Sequence, residues 1–449
     1  MMHLKSTAKK VLKQASAQSV EQGFQRSKKH LKKSQWLART NIYKNDCIRT
    51  LRSHTRPDSA LRHKPLVEYI ASSAPLHCAD GWTLLGRALD AHTRRDSANT
   101  VHLAYYAELR AAIALLASQG IGVFDDSHIA VISPTFCQKI PDSKGLRRTH
   151  QFTWHALEYW SSLQRAEHTL GQLILPGGIP LVTWLEHFGT GYISRSLGEK
   201  WFRDWGLDLR RLSNDRNMRN QSSYRPTHLN ETIVPSVHEY SKFMRSMWGS
   251  CAPSPPAMFD TLDRHLLRRA LRQIYNSQPV SLRGDFSERI SAMLLKTLHD
   301  ETMVPPWKAF LTSSSVSLES IIFTESEGQS GINDPRHPFQ VLSRAVILLR
   351  LATGACLHLF QNTTCNQTNL KFWWKSLGLE RGLWKPDLEP ANLTDLWGDI
   401  GSALEDLKEW ELKYPEQTAT QLTWRREMAA QIATLAECER VALWGMVPA

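Results

Sequence analysis

Apolar residues recur every three to four positions along most of this chain, which is the period of an amphipathic helix. The pattern is clearest over residues 98–118, and Gly120 follows it as a residue suited to end a helix. Its apolar stripe consists of Tyr105, Leu109, Ala112, Ile113 and Leu116. The same period predicts further helices over residues 81–92, 154–173, 179–187, 196–205, 207–220, 236–248, 258–276, 286–300, 338–360, 370–377, 393–414 and 418–444.

One stretch departs from the helical period. Between Ile121 and Ser133, two short apolar runs flank Asp125-Asp126, a pair suited to a turn, so we expect a β-hairpin there. The sequence therefore predicts a mostly α protein, a multi-helix bundle with one small β-hairpin.

The predicted helix over residues 338–360 is apolar on almost every side, so it should lie in the centre of a bundle. Arg344 and Arg350 interrupt its apolar surface. Because a buried unpaired charge is costly, each guanidinium must reach a rim or pair with a carboxylate. We expect three later helices to cover this helix within one C-terminal bundle, those over residues 370–377, 393–414 and 418–444.

Two loop-like segments divide the chain, the Pro-rich residues 251–256 and the Ser- and Gly-rich residues 312–333. A length of 449 residues also predicts two or three domains. The expected organisation is a basic arm over residues 1–64, an N-terminal helical domain with the hairpin over 65–250, a helical middle segment over 257–311 and a C-terminal helical bundle over 335–449.

The composition narrows the class of protein. With 42% apolar and 22% charged residues, the composition is typical of a globular protein. A membrane-spanning helix needs about 18 consecutive apolar residues, and no apolar run is that long, so we expect no membrane insertion. Seven scattered cysteines without a C-x-x-C pair predict a reducing, cytoplasmic location and no structural zinc. The sequence has no phosphate-binding loop and no nucleophile elbow, and we expect neither a cofactor nor a metal.

Positive charge is concentrated at the N-terminus. Residues 1–64 hold 16 of the 55 Lys and Arg and only three acidic residues, whereas the remainder is about neutral. Because cations laid against phosphates release condensed counterions, this distribution predicts a nucleic acid partner, either DNA or RNA. The candidate contacts are Lys9, Lys10, Lys13, Arg26, Lys28, Lys29, Lys32, Lys33, Arg39, Arg49 and Arg52.

Two structures are open for this basic arm. From Arg26 to Arg62 it is only weakly periodic, so it either becomes ordered on its partner or wraps over the body of the protein.

A mitochondrial transit peptide is the alternative to nucleic-acid binding, since the acid-poor N-terminus has one apolar helical face. That face consists of Leu4, Ala8, Val11, Leu12 and Ala15.

A dense polar cluster covers residues 213–226 and ends at a proline. On a helix, Asp215 would face Arg219 and Arg216 would face Asn220, because residues four apart are neighbours. The simplest interpretation is that this cluster ties helices together.

The segment Ala104-Tyr-Tyr-Ala-Glu-Leu-Arg-Ala-Ala, followed much later by Arg-Asn-x-x-Ser-Tyr, resembles the HEPN superfamily and the related YaaC-like proteins, over about residues 98–230. The resemblance implies an α-helical bundle. The active members of the superfamily are metal-independent RNases, often from prokaryotic toxin–antitoxin or antiphage systems. They use an Arg-x4–6-His motif that commonly begins Arg-Asn. The residues that match or adjoin this motif are Arg219 and Asn220, or Arg216 and Asn217, with Asp215 and Tyr224 as further candidates.

The histidine of that motif is absent. The nearest one downstream is His228, which lies beyond Pro226. Cleavage by a ribose 2′-hydroxyl needs a general base, so this absence favours a non-catalytic nucleic-acid-binding subunit of a prokaryotic multiprotein assembly, related to antiphage defence or a mobile element. The alternative is a HEPN-like RNase with a nonstandard active site.

The C-terminal third is rich in tryptophan, which permits base stacking as well as helix packing. Helix packing is the commoner use of aromatic residues at such spacings. Trp373-Trp374-Lys375 is the one place where the sequence would expose adjacent rings and a cation together.

Overall fold

The structure is a computed structural model that describes residues 4–53, 61–143, 145–189, 197–209, 215–217, 219–220, 235–255, 258–313, 315, 320–328, 334 and 336–448. Its first helices are α1 (Ser6–Gln14), α2 (Ala17–Leu31), α3 (Cys47–Ser53), α4 (His63–Thr93) and α5 (Ser97–Ser118). A small sheet follows, made of β1 (Ile121–Gly122), β2 (Ile129–Ser133) and β3 (Phe136–Lys139). The central helices are α6 (Thr149–Ser161), α7 (Gln164–Leu173), α8 (Leu181–His187), α9 (Leu197–Asp204), α10 (Val237–Cys251), α11 (Asp260–Ser277), α12 (Val280–Arg283), α13 (Phe286–Thr297), α14 (Val304–Thr312) and α15 (Ile321–Ser326).

The last helices are α16 (His337–Asn362), α17 (Gln367–Arg381), α18 (Trp397–Lys413), α19 (Gln421–Glu427), α20 (Ala429–Leu435) and α21 (Glu439–Met446). Short 3-10 turns occupy Pro176–Gly178, Glu301–Met303 and Leu393–Leu396. The predicted class is confirmed, because the chain is mostly α-helical with a small antiparallel sheet.

Helices α4, α5 and α16 pack against one another and form the centre of the core. Helix α4 is much longer than the predicted helix over residues 81–92, since it begins at His63 and continues through Pro75. The apolar residues of α4 surround it on several sides, so its sequence has no single stripe that would reveal its full length.

Helix α16 is buried over nearly its whole length, as predicted. Its main covering helices differ from the expected ones, because α5 takes the largest share of its surface, followed by α4 and α15, with α7 beside them. Helix α21, which overlaps the predicted helix over residues 418–444, also packs on it as expected. The Leu349 side chain lies against α4 at Gly81, where an added methyl group would come within 2.7 Å of Leu349 Cδ2. The N-terminal half of the chain therefore covers the apolar helix of the C-terminal half.

The sheet has the order β1-β2-β3, and both pairs of strands are antiparallel. The predicted hairpin is confirmed by the pairing of Ile121 with Ala130 and of Gly122 with Ile129. Strand β3 was not predicted, because it has only four residues and its side chains alternate between buried and exposed positions without a long apolar run. Gly120 has a φ of 85°, and its backbone accepts a hydrogen bond from Val131 N–H at 2.8 Å.

The described part of the basic segment is folded onto the body, which is the second of the two structures considered for it. The apolar face of α1 packs against β2 and α6. At the end of α1, Arg165 Nη2 donates to the Leu12 carbonyl at 2.8 Å, and Ser16 N–H donates to the Val131 carbonyl at 2.9 Å. Helix α2 approaches α4 closely at Gly23, where a methyl group would lie 2.6 Å from Val67 Cγ1.

Helix α16 is long and apolar enough to cross a membrane, but 89% of its most apolar 18-residue window is buried inside the protein. Among the described residues it is the one helix that meets these criteria. Its enclosure by other helices is typical of the core helix of a globular protein.

Replacing Leu349 by alanine should lower the free energy of unfolding by about 2–5 kcal/mol, because a fully buried side chain would leave a cavity in a closed core. Urea denaturation measures this change. Leu412→Ala is the matched control, because Leu412 is 83% exposed and its loss should change stability by less than about 0.5 kcal/mol. Equal small effects of the two substitutions would contradict the enclosed position of α16.

Candidate nucleic-acid interface

The lysine side chains of α1 form its solvent-facing side. Lys9, Lys10 and Lys13 are exposed, whereas Ala8 and Leu12 on the opposite side are buried. Lys9 lies over the ring of Tyr159, with Nζ 5.7 Å from the ring centroid. Within the described part of the chain, Lys10 and Lys13 have no ion-pair or hydrogen-bond partner for their ammonium groups.

The end of α2 carries a second group of lysines. Lys29, Lys32 and Lys33 are exposed, and no described residue pairs with their side chains. Lys28 differs from them, because its Nζ donates to the Thr363 carbonyl at 3.1 Å and to Thr364 Oγ1 at 2.8 Å. Lys28 therefore ties α2 to the end of α16.

The arginines of this segment also divide into two kinds. Arg26 pairs with Glu68 at 3.3 Å and donates to the Pro134 carbonyl at 2.8 Å, while Arg52 pairs with Asp125 and Asp126 of the hairpin turn. These contacts hold the segment on the body. Two other arginines are exposed, and their side chains have no partner within the described chain; they are Arg39 and Arg49.

A second polar cluster forms where Arg219 meets two tyrosines of α5. Arg219 lies over the rings of Tyr105 and Tyr106, 5.4 Å from each centroid, and its Nη1 donates to Tyr106 Oη at 3.4 Å. Residues 215–217 and 219–220 are helical, and Asn220 is half-buried. Tyr224 lies outside the described residues.

His150, at the start of α6, completes this Arg–His–Tyr cluster. Its Nδ1 lies 3.0 Å from Tyr105 Oη, and its ring stacks on Tyr105 at an interplanar angle of 17°. Burial, and after it the positive charges of Arg219 and Arg216, lower the pKa of His150 to about 4. Because its pKa is below neutrality, the imidazole is uncharged at pH 7 and can accept a proton.

Sequence reasoning missed His150 as a partner of Arg219, because the two lie on elements that are far apart in the chain. The Arg-Asn motif is defined by residue spacing within one segment, and such a spacing cannot reveal a histidine that another helix supplies. The only local signal was its position just after the hairpin at the start of a helix. His102, one turn before Tyr106, has a pKa that burial and Arg219 lower as well.

A buried ion pair lies beneath this cluster. Arg344 Nε and Nη2 donate to the two carboxylate oxygens of Asp215 at 3.0 and 2.9 Å, and its Nη1 donates to the Ser326 carbonyl at 3.3 Å. The predicted pairing of Asp215 with Arg219 is therefore wrong. A buried guanidinium needs a carboxylate more than a half-buried one does, and Arg344 obtains it from the segment that carries Arg219.

Glu108 is the second carboxyl near Arg344. It is fully buried, its Oε1 lies 3.7 Å from Arg344 Nε, and neither oxygen has a hydrogen-bond partner among the described residues. Burial, together with the neighbouring Asp215, raises its pKa well above the usual value, which favours the protonated form. Arg344 is thus held by the carboxylate of Asp215, with the carboxyl of Glu108, whose protonated form is favoured, beside it.

Arg350 is paired in the same manner. Its Nε and Nη2 donate to the carboxylate of Asp263 at 2.8 and 2.6 Å, and Nη2 also donates to the Leu173 carbonyl at 2.8 Å. The prediction that both arginines of this helix need partners is confirmed, and both partners are carboxylates.

The fold and these clusters define a mostly α-helical protein with an Arg–His–Tyr cluster at its surface. On two of its helices, cations have no partner among the described residues. Within the described ranges, no group of three or more His, Cys, Asp or Glu side chains is arranged to hold a metal ion. No protein-family model matches the chain, and neither the curated proteins nor the solved structures contain a match to it. The resemblance to the HEPN superfamily stays a prediction from sequence.

Asp215→Ala should lower the free energy of unfolding by about 3 kcal/mol, because it removes the carboxylate that binds a buried arginine through both oxygens. Glu108→Gln should change stability little by itself, since burial already favours the uncharged form of Glu108. In the double variant the loss should exceed the sum of the single losses by about 0.5–3 kcal/mol, because Glu108 can no longer ionise to replace Asp215. Denaturant unfolding of the four proteins measures this coupling, and strict additivity would contradict it.

Proposed function

We propose that this protein binds nucleic acid through the exposed lysines of α1 and of the end of α2. The observation that carries the proposal is the set of side chains without a partner among the described residues, in a segment where other cations are paired. Those lysines are Lys10, Lys13, Lys29, Lys32 and Lys33.

Several like charges without a carboxylate partner among the described residues repel one another, and a polyanion relieves that repulsion. Contacts with phosphates carry no base information, so binding should be independent of sequence and strongly dependent on salt. The same lysines would bind the phosphates of either DNA or RNA. We place the protein in the cytoplasm as a subunit of a prokaryotic assembly with other proteins, in keeping with its resemblance to HEPN-like defence proteins.

The triple variant Lys29→Glu, Lys32→Glu, Lys33→Glu should lose most of the affinity for nucleic acid. Fluorescence anisotropy over a range of salt concentrations measures it. The slope of log affinity against log salt should fall by about 0.9 for each lost phosphate contact on duplex DNA, or about 0.7 on a single strand.

The control for that variant has the same change of charge at exposed positions elsewhere, Lys296→Glu, Lys385→Glu and Arg425→Glu. This control should retain the affinity and the salt slope of the original protein. If both triple variants lose affinity equally, only the net charge matters and the proposed interface is wrong.

A second candidate function is RNA cleavage at the Arg–His–Tyr cluster. The observation that favours it is His150, which brings a neutral imidazole to Arg219 and Arg216. In this function the two guanidinium groups would bind the phosphate. With His150 Nδ1 donating to Tyr105 Oη, Nε2 would accept the proton of the attacking ribose 2′-hydroxyl.

If the cluster cleaves RNA, His150→Ala should reduce cleavage by about 10²–10⁴-fold without unfolding the protein, because it removes the general base. The assay follows a labelled RNA in the presence of EDTA. His155→Ala is the control on the same helix, because His155 pairs with Glu158 instead of joining the cluster.

The dependence of the cleavage rate on pH in the acid range gives a further test. The neutral imidazole is lost only as the pH falls through about 4, so cleavage should persist well below pH 6. Cleavage that His150→Ala leaves unchanged would exclude this second function and leave the binding function in place.

A further inference from the structure

A group of aromatic side chains joins the basic segment to the C-terminal third. Trp36 follows α2, and its ring lies edge-on to Phe372 and Trp373 of α17, at centroid distances of 5.8 and 5.7 Å. All three residues are partly exposed. On the inner side Trp36 contacts the buried Phe24, at a centroid distance of 6.5 Å. The aromatic group therefore has a rigid base and an outer side that solvent can reach.

The unpaired lysines of α2 adjoin this group. Lys33 is three residues before Trp36, so their Cα atoms are at most about 11 Å apart. The chain between them folds back onto the end of the helix, because the backbone N–H of Gln35 donates to the His30 carbonyl at 3.1 Å. The contact of Lys28 Nζ with Thr363 and Thr364 places this helix end beside the start of α17.

The two helices supply different components. The lysines of α17 are neutralised, because Lys375 and Lys371 lie 2.8 and 3.7 Å from Glu389. The lysines at the end of α2 have no such partner in the described chain. Helix α17 thus contributes rings and α2 contributes free positive charge.

We infer that the end of α2 and the start of α17 form a binding platform for single-stranded nucleic acid. Bases stack on Trp36, Phe372 and Trp373, while Lys29, Lys32 and Lys33 bind the phosphates between them. This inference rests on the proposed nucleic-acid binding and specifies its substrate. Rings reach base faces only where the bases are unstacked from a partner strand, so the platform selects single strands over duplexes.

Trp373→Leu should weaken binding of a labelled oligouridylate by roughly 5- to 150-fold, the contribution of one stacked base. Binding of a duplex of the same length should change by less than about twofold, because its phosphates contact only the lysines. Trp397→Leu is the control, since Trp397 is another partly exposed tryptophan and packs on Trp248 and Trp444. Anisotropy measures both ligands for each variant.

The outcomes separate the inference from the function on which it rests. If the lysine triple variant keeps its affinity, the proposed binding surface fails. If that variant loses affinity but Trp373→Leu binds single strands as before, or if the original protein prefers the duplex, the platform is wrong and the binding function stands. An equal loss for both ligands in Trp373→Leu also overturns the platform.

Photocrosslinking of the unaltered protein tests the platform without relying on a variant that folds. An oligonucleotide with 5-iodouracil crosslinks to aromatic rings on which its bases stack. Mass spectrometry should identify Trp36, Phe372 or Trp373 as the crosslinked residues. Crosslinks confined to other aromatic residues would overturn the inference.

Discussion

The requirement that two arginines be neutralised inside an apolar helix determines much of this structure. Arg344 and Arg350 lie on α16, which is buried along nearly its whole length. Each guanidinium is bound by both oxygens of one carboxylate, from Asp215 and Asp263. Because a buried charge without a partner costs several kcal/mol, α16 can be central only if these two distant segments pack against it.

The same requirement positions the Arg–His–Tyr cluster. Asp215 directly precedes Arg216, so its ion pair with Arg344 sets the position of the helical residues that follow. Tyr105 and Glu108 are one turn apart on α5, which places the cluster and the buried pair on one helix. A change at Arg344 should therefore affect the surface cluster although Arg344 itself does not reach solvent.

Local patterns predicted the features that depend on local interactions. The helix over residues 98–118 and the turn at Asp125-Asp126 followed from periodicity and turn chemistry, and the need for carboxylates followed from burial. The identities of those carboxylates, the helices that cover α16 and the contact of Arg219 with Tyr105 depend on long-range packing. A single sequence contains no periodic signal for such contacts. The position of His150 could not be predicted for the same reason, because the tertiary fold brings it to the cluster from another helix.

The basic segment shows why charge alone is a poor guide to function. Arg26, Lys28 and Arg52 hold the segment on the body, so part of its charge has a structural role. Of the remaining lysines, Lys13 and Lys29 lie in the last turns of α1 and α2, where the helix dipole stabilises a cation by about 0.3–1 kcal/mol. That effect explains a lysine or two at each helix end. It does not supply any of these lysines with a carboxylate partner, and the described residues supply none either. These lysines are therefore available for the proposed contacts with phosphates, whereas the charges of Arg26, Lys28 and Arg52 are already used within the protein.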